Sequence, residues 1–238
     1  MSCSKAAVLS NRQVSPGFYL LSAELPDSIP AIRAGQFCML RSWDTIPVLS
    51  RPISVFDAEG NRVFFLYKTV GRGTAMFSRL KPGDPITIQG PLGNGFPDIA
   101  GRIAMVGGGA GIAPLYLGAK QYKAAGCTVD LYLGFSGAAF LTEEYREIAD
   151  RVTVNVGGFI TDTIDPSGYD AIFTCGPEIM MKALREKCKS GDRLFVSLEA
   201  RMACGVGACY GCSRKTAAGN KKVCKDGPVF PAEEVFDL

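Results

Sequence analysis

Arg102-Ile-Ala-Met-Val-Gly-Gly-Gly-Ala-Gly-Ile-Ala-Pro114 is where the chain changes rhythm. A short apolar run ends in three successive glycines, and a helical stretch follows from residue 114 to 125. Proline suits the first turn of a helix, where its missing N–H is not needed. Glycines let a strand-to-helix turn run close to phosphates, and the helix dipole favours an anion there. From Gly109 the pattern is G-x-G-x-x-P, with Pro114 where the dinucleotide fingerprint has a third glycine. Gly107, Gly108, Gly109 and Gly111 are therefore candidate nucleotide contacts, although glycine-rich turns also occur without ligands.

Downstream, strand and helix alternate. Val129-Asp-Leu-Tyr-Leu-Gly reads as a strand, residues 143–150 as a helix, and Val152-Thr-Val-Asn-Val and Ala171-Ile-Phe-Thr-Cys as strands. Residues 178–189 read as a further helix. This alternation predicts a parallel α/β sheet over residues 99–199. Cys175-Gly176-Pro177 ends one strand and opens a helix. Ligands gather at the carboxyl ends of parallel strands, so both glycine loops are placed to face one nicotinamide dinucleotide. Cys175 reads equally well as a buried strand-end thiol. Ser136 stands after Gly134-Phe135 where a basic residue would favour a 2′-phosphate, which leans towards NADH over NADPH.

Upstream, residues 6–95 read as short strands bounded by Pro, Gly and Asp. Examples are Gly17-Phe-Tyr-Leu-Leu, Gly35-Gln-Phe-Cys-Met-Leu, Arg62-Val-Phe-Phe-Leu-Tyr and Pro85-Ile-Thr-Ile-Gln. Such spacing predicts a small antiparallel barrel over residues 1–98, with one brief helix near residues 75–80. Arg51-Pro52-Ile53-Ser54 is read as following one strand and beginning another. An arginine beside a proline presents a planar fork to a pyrophosphate, and a serine three positions on can bond a polar ring edge. Taken alone, an ordinary loop arginine is an equal reading. Leu66-Tyr67-Lys68 precedes Gly73-Thr74, where Thr74 is expected to cap the brief helix and the helix start to bind phosphate. Tyr67 is either a flavin contact or a barrel-core aromatic. The two segments on one barrel strengthen the flavin reading of each.

Residues 200–238 show neither rhythm. They hold Cys204, Cys209, Cys212 and Cys224, spaced C-x4-C-x2-C-x11-C. Deprotonated sulfur is a strong soft ligand. The C-x4-C-x2-C core with a more distant fourth cysteine is the plant-type [2Fe–2S] spacing. Structural zinc is the alternative, but zinc usually draws ligands as two short C-x2-C pairs. The other five cysteines have no partner in sequence, and Cys38 and Cys127 lie in strand-like stretches as packing residues.

Composition narrows the chemistry. The 238 residues are 47% hydrophobic and 21% charged, with nine cysteines and no histidine. No histidine means no Ser-His-Asp triad, no histidine zinc site and no Rieske ligation. Hydride and electron transfer by cofactors needs little proton shuttling by side chains and suits such a chain. A formal charge of +3, without basic runs, argues against nucleic acid. The first residues carry no signal-peptide pattern and no run is long enough to span a bilayer, so a cytoplasmic location is expected.

The order R-P-x-S, G-x-G-T, G-G-G-x-G-x-x-P, C-G-P and a four-cysteine loop resembles the ferredoxin reductase superfamily. Within it, the chain is similar to the electron-transfer subunits of type B dihydroorotate dehydrogenase. Gly90-Pro-Leu-Gly-Asn-Gly-Phe and Lys222-Val-Cys-Lys-Asp-Gly-Pro-Val-Phe230 are the further stretches that carry this likeness. The resemblance implies FAD held by residues 51–54, 66–68 and 73–74, and a [2Fe–2S] cluster on the four cysteines. It implies NAD(H) as substrate and an FMN-containing catalytic partner in a two-plus-two heterotetramer of pyrimidine biosynthesis. Two other readings are a related subunit of a ferredoxin:NADP oxidoreductase or hydrogenase-type complex, and a zinc-stabilised nucleotide-binding regulatory module.

Overall fold

The computed structural model describes residues 2–27, 31–189 and 193–237. Strands β1 (Ser2–Ser15), β2 (Phe18–Glu24), β3 (Phe37–Arg41), β4 (Arg51–Glu59), β5 (Arg62–Lys68) and β6 (Pro85–Leu92) close a barrel in the order β1-β2-β5-β4-β3-β6. Every pairing in it is antiparallel. Closure removes the exposed edges that six short strands would otherwise present. The closing element is β1, whose first half pairs with β6 and whose second half pairs with β2. Its serine- and lysine-containing sequence hides this 14-residue strand from a reading by hydrophobic runs. β6 shows the alternation a one-sided strand needs, with Ile86 and Ile88 inward and Thr87 and Gln89 partly exposed. The brief helix α1 (Arg72–Phe77) seals the barrel with Phe77, which is fully buried against Tyr67. Residues 42–50, before Arg51, are bends and irregular backbone and not the expected strand.

The second unit is a six-stranded sheet in the order β14-β11-β10-β7-β8-β9. Its strands are β7 (Arg102–Gly108), β8 (Thr128–Phe135), β9 (Arg151–Val156), β10 (Ala171–Cys175), β11 (Leu194–Ser197) and β14 (Val229–Pro231). Five run parallel, and β10 is buried along its whole length, as a strand covered on both faces must be. The sixth, β14, joins antiparallel to β11 and is supplied by the cysteine-rich segment. Helix α2 (Ala113–Ala124) follows the glycine loop, and α4 (Glu178–Lys187) follows Cys175-Gly-Pro. The helix expected over residues 143–150 is shorter: α3 covers Thr142–Arg146, started by Leu141 in the left-handed region.

Helix α2 joins barrel and sheet. Lys120 Nζ lies 2.7 Å from Asp57 Oδ2 on β4 and 3.1 Å from Glu59 Oε1. The Gln121 side-chain amide donates to the Ile32 carbonyl and its oxygen accepts from the Ala34 N–H. Phe56 stacks on Tyr116 at 4.3 Å between centroids. Barrel residues such as Val55 and Phe65 and sheet residues such as Ile103 and Leu131 therefore share one apolar core.

The C-terminal segment has more regular structure than its sequence suggests. A hairpin of β12 (Ser213–Thr216) and β13 (Gly219–Lys222) leads through α5 (Val223–Asp226) to β14 and α6 (Ala232–Phe236). Arg214 on β12 grips Glu178 at the start of α4 with two hydrogen bonds of 2.9 Å. Among the described residues, no helix is long and apolar enough to cross a membrane.

Candidate functional site

A cleft of about 740 Å³ opens where the three parts meet. On the barrel side it is lined by Arg51, Pro52, Ile53 and Ser54 of β4 and by Leu66, Tyr67 and Lys68 of β5, with Thr74 beside them. Ala110, Ala113 and Cys175 border it from the sheet, and residues 197–202 close it on the third side. Its size falls in the range of small-molecule sites, and its mixture of apolar walls with a few polar groups is typical of them.

Within the cleft the side chains are held in place. The Arg51 guanidinium donates to the Leu49 carbonyl and lies 5.3 Å from the centre of the Trp43 ring. Gly73 makes room for it: a Cβ there would sit 2.6 Å from Arg51 Nε. Tyr67 is buried in the barrel and donates from its hydroxyl to Asn11 Oδ1 at 3.0 Å, while Asn11 Nδ2 donates to the Phe77 carbonyl at 2.8 Å. Tyr67 is a barrel-core aromatic that also lines the cleft. Thr74 does not cap α1. The cap is Gly71, and Thr74, three residues on, accepts from the N–H groups of Val70 and Gly71 at 2.9 and 3.2 Å. A threonine in the first turn reaches back to free donors as well as a cap reaches forward.

The two glycine loops meet. β7 and β10 are parallel neighbours, with Gly107 in register with Cys175, so both loops leave the carboxyl edge of the sheet side by side. Gly107 and Gly108 finish β7, and Gly109 begins the short 3-10 turn that includes Gly111. At Gly111 a Cβ would lie 2.3 Å from the Cys175 carbonyl oxygen, so only glycine permits the loops to touch. Gly176 and Pro177 lie over Gly108. Of this group, Cys175 borders the cleft, and burial pushes its thiol up to about 12.

The four C-terminal cysteines stand as two pairs, in the segment that continues from Met202 on the cleft wall. Cys212 and Cys224 are buried, whereas Cys204 and Cys209 are half-buried. Backbone donors point at three of the sulfurs: Gly207 N–H to Cys224 Sγ at 3.2 Å, Cys209 N–H to Cys204 Sγ at 3.4 Å, and Cys224 N–H to Cys212 Sγ at 3.4 Å. The N–H groups of Cys209 and Val206 lower the Cys204 thiol to about 6. Desolvation raises Cys224 to about 12. The side chains pair as Cys204 with Cys209 and Cys212 with Cys224. Among the described residues, no three or more Cys, His, Asp or Glu side chains stand close enough to surround a single metal ion.

The residues that sequence reasoning missed are Ser197-Leu198-Glu199-Ala200-Arg201-Met202. They leave the carboxyl end of β11 beside Cys175 and run into Cys204. Glu199 keeps contact with solvent, yet the cleft walls desolvate it enough to raise its carboxyl above the usual range. The strand-end rule that marked Cys175 would have marked Ser197 had β11, only four residues long, been recognised.

A closed antiparallel barrel docked on a mostly parallel sheet, with paired thiols beyond the shared cleft, defines a ferredoxin reductase-like electron-transfer protein. The structure of an NADH-dependent reduced ferredoxin-NADP oxidoreductase, described for flavin-based electron bifurcation, superposes with a TM-score of 0.89 and 30% identity over 98% of this chain and 90% of that one. Residues 199–236 match the iron-sulfur cluster binding domain of dihydroorotate dehydrogenase B. The chain is 41% identical to the dihydroorotate dehydrogenase B (NAD(+)) electron transfer subunit of Clostridium acetobutylicum, covering 96% of this chain and 95% of the relative. It is 43% identical to that of Clostridium perfringens, covering 97% of each. The chain belongs to this family of dihydroorotate dehydrogenase B electron transfer subunits.

Proposed function

We propose that the chain holds FAD on the barrel side of the cleft, a [2Fe–2S] cluster on Cys204, Cys209, Cys212 and Cys224, and NAD(H) at the glycine loops. It relays electrons between NAD(H) and the FMN of a catalytic subunit that interconverts dihydroorotate and orotate. The observation that carries this reading is the continuity of the cleft. Barrel segments 51–54 and 66–68, the strand end at Cys175 and the segment leading into Cys204 all border one cavity. Flavin held by the barrel residues of the cleft would supply two-electron hydride chemistry, and an iron–sulfur cluster on the four cysteines would supply single-electron transfer.

The chain's own residues supply place and polarity. Arg51 and Lys68 bring positive charge to the cleft for a pyrophosphate, and Ser54 brings a hydroxyl. Phe37, Ile53, Leu66 and Tyr67 give the apolar wall that a flat ring system requires. Gly73 gives Arg51 its resting place. Gly107, Gly108, Gly109 and Gly111, with Gly176 and Pro177, form the close-packed rim for the dinucleotide. The donor set at the cluster fits two irons: four thiolates in two pairs, with N–H groups directed at sulfur. The pairing supports a reading in which Cys204 and Cys209 would hold one iron and Cys212 and Cys224 the other. Ser136 supports NADH over NADPH.

On this reading residues 1–98 bind FAD, 99–199 bind NAD(H) and 200–238 bind the cluster. The assembly is two of these chains with two FMN-containing catalytic subunits, in the cytoplasm. A visible spectrum of protein purified without oxygen tests the core of it. Flavin bands with broad iron–sulfur absorption that bleaches with dithionite are expected. A colourless protein with one zinc per chain would support the regulatory module instead. Orotate formation on adding the catalytic subunit separates this reading from the ferredoxin:NADP type, to which the 30% identical structural relative belongs.

A further inference from the structure

Arg41 ends β3, and Leu40 beside it is in register with Arg51 at the start of β4. The stretch between them, Ser42-Trp-Asp-Thr-Ile-Pro-Val-Leu-Ser50, contains no glycine, yet it doubles back within nine residues. It does so by winding round the Arg41 guanidinium. Nε donates to the Trp43 carbonyl at 2.8 Å, Nη1 to the Val48 carbonyl at 2.7 Å and Nη2 to the Asp44 carbonyl at 2.7 Å. Carbonyl oxygens brought close repel one another, and a planar cation with several fixed donors offsets that repulsion. The loop has no apolar core of its own, since Ile46 and Val48 are 57% and 75% exposed.

The winding turns Trp43, the single tryptophan of the chain, onto the barrel core. Its indole N–H donates to the Pro47 carbonyl, and its ring stacks on fully buried Phe77 at 5.4 Å between centroids. The Arg51 guanidinium rests on that same ring. Gly73 fits both side chains, because a Cβ there would lie 2.6 Å from Arg51 Nε and 2.9 Å from Trp43 Cη2. Among the described residues Arg51 bonds only through Nη1, to the carbonyls of Leu49 and Ser50 at the end of the same loop. Leu49, Ser50 and Arg51 line the cleft, whereas Arg41 does not.

We infer that Arg41 is a positioning residue for the flavin nucleotide: it winds residues 43–48 so that Trp43 becomes the shelf that holds Arg51 at the cleft. The inference rests on the functional reading above and adds to it a residue that touches no ligand. A long, unsupported arginine loses rotamer freedom when it grips a phosphate. An arginine already laid on a ring and tied to two carbonyls has lost that freedom beforehand, so more of each new bond appears as affinity.

The test is a cycle of Arg41→Ala, Arg51→Ala and the double variant in the full-length, iron-loaded chain freed of flavin. FAD binding is read from quenching of Trp43 emission and from flavin retained on filtration. Arg41→Ala is expected to weaken binding about tenfold and to shift Trp43 emission to the red. In the Arg51→Ala background the same change is expected to alter binding less than about twofold, because the group it acts through is gone. Arg41→Lys is expected to bind as weakly as Arg41→Ala, since an ammonium brings the charge without the fork. Equal losses in both backgrounds would make Arg41 a general support of the fold and overturn the inference. Wild-type affinity in Arg41→Ala, or full rescue by lysine, would overturn it as well. If the wild-type chain binds no FAD, or Arg51→Ala binds it unchanged, the functional reading of Arg51 falls first, and this inference with it.

Discussion

Cys209 sits half-buried in the cluster loop, its N–H donating to Cys204 Sγ, so replacing its sulfur tests ligation directly. Cys209→Ser is expected to bring iron per chain close to zero and to abolish electron delivery to the catalytic subunit. Dye reduction by NADH should persist, because the barrel side of the cleft is untouched. The same loop makes a pH prediction for the iron-free chain. A thiol is nucleophilic above its pKa, so at pH 7 Cys204, lowered to about 6, is mostly thiolate, whereas Cys224, raised to about 12, is not. Brief alkylation followed by mass spectrometry should find Cys204 modified before Cys224. On the proposed FAD site, Arg51→Ala would remove a charge-assisted contact to phosphate, a loss of roughly 1.5–3 kcal/mol, and FAD should wash out on dilution. At this scale much was legible. Cysteine spacing and R-P-x-S are local patterns whose chemistry needs no distant partner. Thr74 was read one turn out of place because the cap is a glycine, which leaves no side-chain signal.

Two elements, β12 and α4, are tied by Arg214 and Glu178. Arg214, with help from Lys182, lowers the Glu178 carboxyl to about 2. A folded-state value below the unfolded one means a contribution that is present above about pH 4.5 and is lost as pH falls towards 2. The pair is partly solvated, with 44% of the Glu178 side chain exposed, so its contribution is about 1 kcal/mol. Glu178→Gln should lower stability at pH 7 by that amount and flatten the acid side of a denaturation profile. Gly111→Ala is the stronger perturbation. With a Cβ 2.3 Å from the Cys175 carbonyl, the two loops must part, at a cost of about 1–3 kcal/mol, and NADH binding should weaken with them. Thermal melts and NADH titration check both effects. The alternation of strand and helix was readable, but α3 was overestimated and β1 was overlooked. Amphipathic periodicity is faint in a five-residue helix and in a strand rich in serine.

Across the whole molecule, the barrel and the sheet are locked by α2. Burial works against the charge on Lys120, yet the bonds from Asp57 and Glu59 hold its pKa above the usual value. Lys120→Met strands the buried Asp57 carboxylate and should cost about 3 kcal/mol, visible as a lower melting temperature. The double variant with Asp57→Asn should recover most of that loss. The amino-acid sequence by itself determined a strand-rich first part, an alternating second part and a thiolate loop, because each is written in short-range periodicity or spacing. Only the tertiary structure decided that the cysteine-rich segment lends β14 to the sheet and that residues 197–202 form the third wall of the cleft. It alone set Lys222 over the Tyr210 ring. Those relations join residues far apart in the chain, and no local pattern encodes a neighbour brought close only by packing.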